Sequence, residues 1–205
     1  YTQKPPYPIL SGLVGSEMCI RDSLGTMSGS GSGIRNTRKY TDVLTAAHVC
    51  QLPIEVQLMG GRQTITLFNI HGQEYFGEIY ALDFENDLCL IRIDGKKPVL
   101  RIAREDPGIG DSVFYAGYPN GLYKPGLLHF FHGYFNGIDS ERSGYYSIPA
   151  APGSSGSAIV NSRGLVVGLV SAVMANFHNS TIGPSVEPIN MFLLLSENCD
   201  KFCVK

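Results

Sequence analysis

The sequence predicts an all-β fold. Short apolar or alternating runs recur through the 205 residues at roughly the 8–12-residue spacing of barrels and sandwiches. Glycine and proline are abundant, at 24 and 12 residues, as many turns between short strands require. Residues 54–93 carry no sustained helical period, and β-branched and aromatic residues crowd their apolar runs. Periodicity alone leaves a barrel and a sandwich equally open.

Taken in order, residues 1–23 stand apart. Leu13-Val14-Gly15-Ser16-Glu17-Met18-Cys19-Ile20-Arg21-Asp22-Ser23 resembles the translation of a common transposase-based sequencing adapter, and residues 1–12 then read as a chimeric flank. The expectation is a non-native flank over 1–23, a native start that lies elsewhere, and a domain over 24–205. Ser28-Gly29-Ser30-Gly31-Ser32-Gly33-Ile34 suits either a flexible linker or a glycine-rich first strand. Asn36 to Tyr40 is a polar hairpin turn. Ile54 to Leu58 alternates like a half-buried strand, and Gly60-Gly61 turns the chain. Thr64 to Ile70 is β-branched and aromatic, and His71 to Gln73 turns into Tyr75 to Leu82. Leu88 to Ile93 closes a first half of about 24–100. Lys96 to Gly110 is a polar connector. A second half of about 107–187 holds Ser112 to Gly117, Leu127 to Gly137, Tyr145 to Ile148, Ser157 to Val160 and Leu165 to Ala172. A short helix is expected over about 188–197, with Pro188 at its first position and Ile189, Phe192 and Leu193 on one face.

Composition narrows the function. Charged residues make up 17% of the chain, against roughly 25% in an average soluble domain, and the formal net charge is -2. No basic block appears, so nucleic acid is not an expected partner. No apolar run approaches the ~20 residues that cross a bilayer, so no membrane partner is expected. The length suits one sizeable core, or two half-domains facing a cleft.

Three stretches carry chemistry. Val43-Leu44-Thr45-Ala46-Ala47-His48 is an apolar strand that ends in small residues and a histidine. Asn86-Asp87-Leu88 puts an aspartate at the mouth of another strand. Ala151-Pro152-Gly153-Ser154-Ser155-Gly156-Ser157 is a small-residue loop running into a third. A serine hydroxyl is too weak an acid to attack unaided, so an imidazole takes its proton while a carboxylate orients that imidazole. Ser155 is the candidate nucleophile because it directly precedes Gly156 and follows Gly153 by two. His48 is the candidate general base and Asp87 its partner, with Asp83 and Glu85 as the nearest substitutes. Successive N–H groups in such a turn can converge on an anion, which makes the amides of Gly153 and Ser155 candidate oxyanion donors. The bland alternatives are a core histidine, a strand-edge cap and a serine-decorated turn.

Thr45-Ala46-Ala47-His48, Asn86-Asp87-Leu88 and Gly153-Ser154-Ser155-Gly156-Ser157 resemble the three signature blocks of trypsin/chymotrypsin-like serine peptidases, in the compact bacterial and viral form. The resemblance covers about residues 27 to 195. It implies two six-stranded antiparallel β-barrels with a short C-terminal helix, His48 and Asp87 coming from the first barrel and Ser155 from the second. It implies a serine endopeptidase acting on a polypeptide substrate through an acyl-enzyme, without metal or organic cofactor. The alternative is a catalytically inactive barrel serving as a peptide-binding or structural module. An esterase using the same three residues is a weaker third reading.

The resemblance also places Pro149, Ser171, Ala172 and Val173 at the substrate-binding edge. Pro149 stands six residues before the nucleophile, where trypsin-like enzymes carry an aspartate, so Lys or Arg preference is not expected. Val173 suggests a small or apolar pocket. Ser171 is equally an ordinary strand serine or a hydrogen-bond donor to Asp87. Ser154 replaces the aspartate that pairs with a newly cut N-terminus, so no activation switch of that kind is expected. His129 and His132 lack a third metal ligand and read as strand-face residues; His71 and His178 read as solvated. The five cysteines, at 19, 50, 89, 199 and 203, give no complete disulfide framework. Cys89 reads as a buried thiol, and mostly free thiols favour a reducing compartment.

Overall fold

The computed structural model describes residues 17–22, 28–51, 65–174 and 177–198. The strand expected over Ile54 to Leu58, the turn at Gly60-Gly61, and Cys199 and Cys203 lie outside these residues.

The first half is a closed antiparallel barrel. Its strands are β1 (Glu17–Asp22), β2 (Ser28–Asn36), β3 (Tyr40–Thr45), β4 (Ile65–Asn69), β5 (Glu74–Asp83) and β6 (Leu88–Asp94). They follow the order β1-β2-β3-β6-β5-β4, and β1 pairs with both β2 and β4 to close the ring. Met18, Ile20, Val43, Ile65, Leu67 and Ile91 are buried in its core. Closure removes every free edge from this half. The glycine-rich run Ser28 to Ile34 is thus a strand, not a linker. Residues 17–22, which the sequence reading set in a flank, form the strand that shuts the barrel. The structural domain therefore begins before residue 24.

The second half departs from expectation. It contains β7 (Arg101–Ile102), β8 (Ser112–Gly117), β9 (His129–Ile138), β10 (Ser143–Ser147), β11 (Ala158–Asn161), β12 (Leu165–Leu169), β13 (Ala172–Met174) and β14 (Phe177–Pro184). These make an eight-stranded sheet in the order β13-β14-β10-β9-β8-β11-β12-β7. The sheet does not close into a second six-stranded barrel. Its last member, β7, pairs parallel to β12 and lies within residues 96–110, where a polar connector is expected. The sheet still curls: the Ser171 N–H donates to the Ile182 carbonyl at 3.1 Å, bringing the end of β12 to β14. Tyr146 fills the hollow, with its buried hydroxyl donating to the Val167 carbonyl at 2.9 Å.

The helix α1 (Val186–Asn198) starts two residues before the expected position. Pro188 then falls in the first turn, where its missing N–H has no helical acceptor to lose. Ile189 and Phe192 are buried and Leu193 is partly buried, as the periodicity predicted. One buried cluster runs from Leu44 and Leu90 of the barrel through Ala116, Ala158 and Val160 of the sheet to Ile189 and Phe192 of α1. The two halves therefore share apolar packing. A charged network adds to it. Asp42 is fully buried and pairs with Arg35 at 2.7 Å and Arg92 at 2.8 Å, while Arg35 also bonds Glu197 of α1 at 2.9 Å.

Candidate active site

Three chain segments converge where barrel and sheet meet. The first follows β3, where Ala47–Val49 winds into a single 3-10 turn. This tight turn buries Ala47 and Val49 against the barrel and leaves the His48 side chain 41% exposed.

The second is the turn before β6. Asp87 takes a left-handed φ of 53°, a conformation that aspartate tolerates better than most residues. This sets its carboxylate beside His48. The His48 N–H donates to Oδ1 at 2.9 Å, and Nδ1 lies 3.0 Å from Oδ1 and 2.8 Å from Oδ2. An ionised carboxylate only accepts, so the Nδ1 proton points to Asp87 and Nε2 is left as the acceptor. The Ser171 hydroxyl donates to Oδ2 from the other half of the molecule. Burial pushes the Asp87 carboxyl upward, but the bonds from His48 and Ser171 outweigh it and bring it below its ordinary 3.8. Asp83 does other work: its carboxylate accepts the N–H groups of Glu85 and Asn86 and the Asn86 side chain at 2.7 Å, capping the turn.

The third segment is the loop from Ala151 to Ser157. Gly153 and Gly156 hold φ of 90° and 87°, which a side chain would strain. A Cβ on Gly156 would also collide with Thr45 Oγ1 and the Ser30 carbonyl, so this glycine lets the loop lie against the strand that leads to His48. The carbonyls of Pro152 to Ser155 are each engaged. Pro152 accepts from the Asn120 N–H, Gly153 from Ser30 Oγ at 2.8 Å, Ser154 from the Ser157 N–H at 3.0 Å, and Ser155 from the Ser30 N–H at 2.8 Å. The Ser154 N–H donates to Ala151 at 2.9 Å and the Gly156 N–H to Val170 at 2.7 Å. Among the described residues only the N–H groups of Gly153 and Ser155 in this run have no acceptor. A trans peptide points its N–H opposite to its carbonyl, so anchoring the Pro152 and Ser154 carbonyls turns these two N–H groups the other way.

Ser155 itself is half-buried, and no hydrogen bond joins its hydroxyl to His48 among the described residues. Ser154 is buried, with its Oγ 3.4 Å from the Tyr115 hydroxyl and 3.5 Å from the Ala151 N–H. Tyr115 also donates to the Pro149 carbonyl at 2.7 Å, and burial pushes its phenol up to about 12. Ala172 and Val173 are exposed on β13, which among the described residues pairs only with β14 and so presents a free edge. His132 is exposed and stacks on Phe114 with ring centroids 4.6 Å apart. Among the described residues no group of three or more His, Cys, Asp or Glu side chains can hold a metal.

Two features escaped the sequence reading. Cys50 and Cys89 are not free thiols: they form a disulfide with Cα atoms 6.6 Å apart. Neither residue therefore counts as a free thiol favouring a reducing compartment. Their spacing held the signal, since each follows its candidate site residue, His48 or Asp87, by two. The other feature is Ser30. Its role rests on contacts 123 residues away, which no local pattern announces.

A barrel and a curled sheet around an aspartate–histidine pair and a glycine–serine loop define the chymotrypsin-like class of folds. The family described as "Trypsin-like peptidase domain" matches residues 29–169, and the chain belongs to this family of serine proteases. No curated protein matches the chain. Solved structures do resemble it. A serine endoprotease from Yersinia pestis gives a TM-score of 0.80 at 18% identity, covering 97% of this chain and 69% of that one. Rv3671c from M. tuberculosis H37Rv, in an inactive serine-to-alanine form, gives 0.75 at 16% identity, covering 98% and 97%. The active form of the Rv3671c protease gives 0.73 at 20% identity, covering 95% and 87%.

Proposed function

We propose that this chain is a serine endopeptidase that cleaves polypeptides through an acyl-enzyme. The observation that carries the reading is the His48 ring anchored through Nδ1 to Asp87, together with a loop in which, among the described residues, the Gly153 and Ser155 N–H groups are the backbone donors without an acceptor. Ser155 Oγ attacks the scissile carbonyl carbon while His48 Nε2 takes its proton. The carbonyl oxygen becomes an anion between the two N–H groups. Asp87, kept ionised by its bonds to His48 and Ser171, stabilises the imidazolium. His48 then gives its proton to the leaving amine as the carbon–nitrogen bond breaks. Water repeats the cycle on the acyl-enzyme and frees Ser155. No step calls for a metal or organic cofactor. The free edge of β13 pairs with the substrate backbone, with Ser171, Ala172, Val173 and Pro149 bordering a small or apolar pocket.

Ser155 and His48 are not hydrogen-bonded as they stand. Catalytic hydrogen bonds commonly tighten only when substrate binds. Fluorophosphonate labelling tests the reading on the full chain, with Ser155→Ala and His48→Ala beside it. Labelling of the wild type alone is the expected result. A folded wild-type protein that resists the probe would replace this reading with the inactive, peptide-binding barrel. Comparing matched ester and amide substrates then separates an endopeptidase from an esterase.

A further inference from the structure

The geometry points to Ser30 as the positioning residue that shapes the anion-binding loop, an inference that rests on the serine-peptidase reading above. Ser30 is completely buried in β2, in the half of the molecule that does not carry Ser155. Four hydrogen bonds meet on it. Its N–H donates to the Ser155 carbonyl at 2.8 Å, and its hydroxyl donates to the Gly153 carbonyl at 2.8 Å. The same hydroxyl oxygen accepts the Tyr118 N–H at 3.1 Å. Its carbonyl accepts the Thr45 hydroxyl at 2.7 Å, three residues before His48.

Two of these bonds act on the planes that flank the spare donors. The Gly153–Ser154 plane is fixed at its oxygen by Ser30 Oγ and at its nitrogen by the Ala151 carbonyl. The Ser155–Gly156 plane is fixed at its oxygen by the Ser30 N–H and at its nitrogen by the Val170 carbonyl. The Tyr118 N–H on the same hydroxyl leads into the turn whose Asn120 N–H holds the Pro152 carbonyl. Gly153 is the weak point of the arrangement. A glycine at φ of 90° has low barriers on either side, so its carbonyl can rotate inward once unanchored and carry the loop's donors out of line. Among the described residues Ser30 Oγ is the one side-chain hydroxyl that holds it. Ser30 contacts neither His48 nor Asp87 by hydrogen bond, so its effect falls on the oxyanion and not on the base.

The test is Ser30→Ala in the full chain, read with a fluorophosphonate probe as separate maximal inactivation rate and half-saturating concentration. Phosphonylation of Ser155 passes through a state with negative charge on the phosphoryl oxygen, so its rate reports the donors. Ser30→Ala should lower the maximal rate by roughly 10- to 100-fold, less than the roughly 10²–10³ lost when a donor is deleted outright. The half-saturating concentration and the pH at half-maximal rate should stay where they are. Purely structural damage would move all three and follow the melting temperature. A folded Ser30→Ala protein that reacts at the wild-type rate overturns the proposal, as does a loss confined to the half-saturating concentration. Should Ser30→Ala fail to fold, Ser30→Cys keeps the side-chain shape and a weak donor. It should show a smaller loss in the same parameter, and no loss there also overturns the proposal. Failure of the underlying reading looks different, because the wild type would then not react and Ser30 would have no oxyanion loop to shape.

Discussion

Replacing Cys50 and Cys89 by alanine should cost far more stability than activity. The bond spans 39 positions of sequence. The chain-entropy relation for a loop of that length gives about 4 kcal/mol of destabilisation when the link is removed. Single domains of this kind are stable by roughly 5–15 kcal/mol in total, so the double variant should unfold at markedly lower urea. The local geometry predicts the opposite for chemistry. Thr45 faces Cys89 in the β3–β6 ladder, the Ala47 N–H donates to the Asp87 carbonyl at 3.1 Å, and the His48 N–H donates to the carboxylate at 2.9 Å. These contacts keep His48 on Asp87 without the sulfur link. Below its unfolding transition the variant should therefore take up the fluorophosphonate within a few-fold of the wild-type rate. The assay pairs urea denaturation, with and without dithiothreitol, with labelling in the absence of urea. The wild type under reductant should converge on the variant. An unreduced digest lacking a peptide cross-linked between Cys50 and Cys89, or identical urea midpoints, would show that the link does not stabilise the fold in this way.

The remaining predictions concern the charges. Asp87→Asn keeps the shape but reverses the hydrogen-bonding preference on Nδ1, so the rate with substrate or probe should fall by about 10⁴ while the fold persists, checked by circular dichroism. The lowered Asp87 carboxyl binds its proton less readily folded than unfolded. Its stabilisation is complete above the ordinary value of 3.8 and is lost as pH falls below that. The acid limb of a stability–pH curve should therefore flatten in Asp87→Asn. Asp42→Ala leaves Arg35 and Arg92 facing a buried void and should cost about 3–5 kcal/mol, read from urea midpoints. Arg35 also ties Asp42 to Ser196 and Glu197, so hydrogen exchange in α1 should quicken in the same variant.

What was legible in the sequence was local. His48, Asp87 and Ser155 sit in short blocks whose neighbours have local reasons to be there: Ala46 and Ala47 pack the 3-10 turn, and Gly153 and Gly156 adopt angles only glycine takes readily. β5, β6, β8 and β9 showed in their apolar or alternating runs. The strand β14 did not, because Phe177–Pro184 mixes asparagine, serine, glycine and proline and becomes a strand only by pairing with β10 and β13. β1 is hidden by its likeness to a foreign sequence, although Met18 and Ile20 pack fully into the core. Whether the second sheet closes depends on how its distant ends meet, and no local pattern encodes that.

The candidate site is reciprocal between the halves, which is why motif spacing points to its candidate members but not to their supports. Ser171 lies in the sheet half and bonds the carboxylate of Asp87 in the barrel half. Ser30 lies in the barrel half and bonds the carbonyls of Gly153 and Ser155 in the sheet half. In the proposed mechanism each half thus presents its own reactive group and fixes the other's. Neither barrel nor sheet alone would orient the candidate site, however well it folded, because the donors that do so lie on the opposite half. If the proposed mechanism holds, the shared apolar cluster from Leu44 to Phe192 supports the chemistry as well as the fold: loosening it should separate Ser171 from Asp87 and Ser30 from Gly153 together.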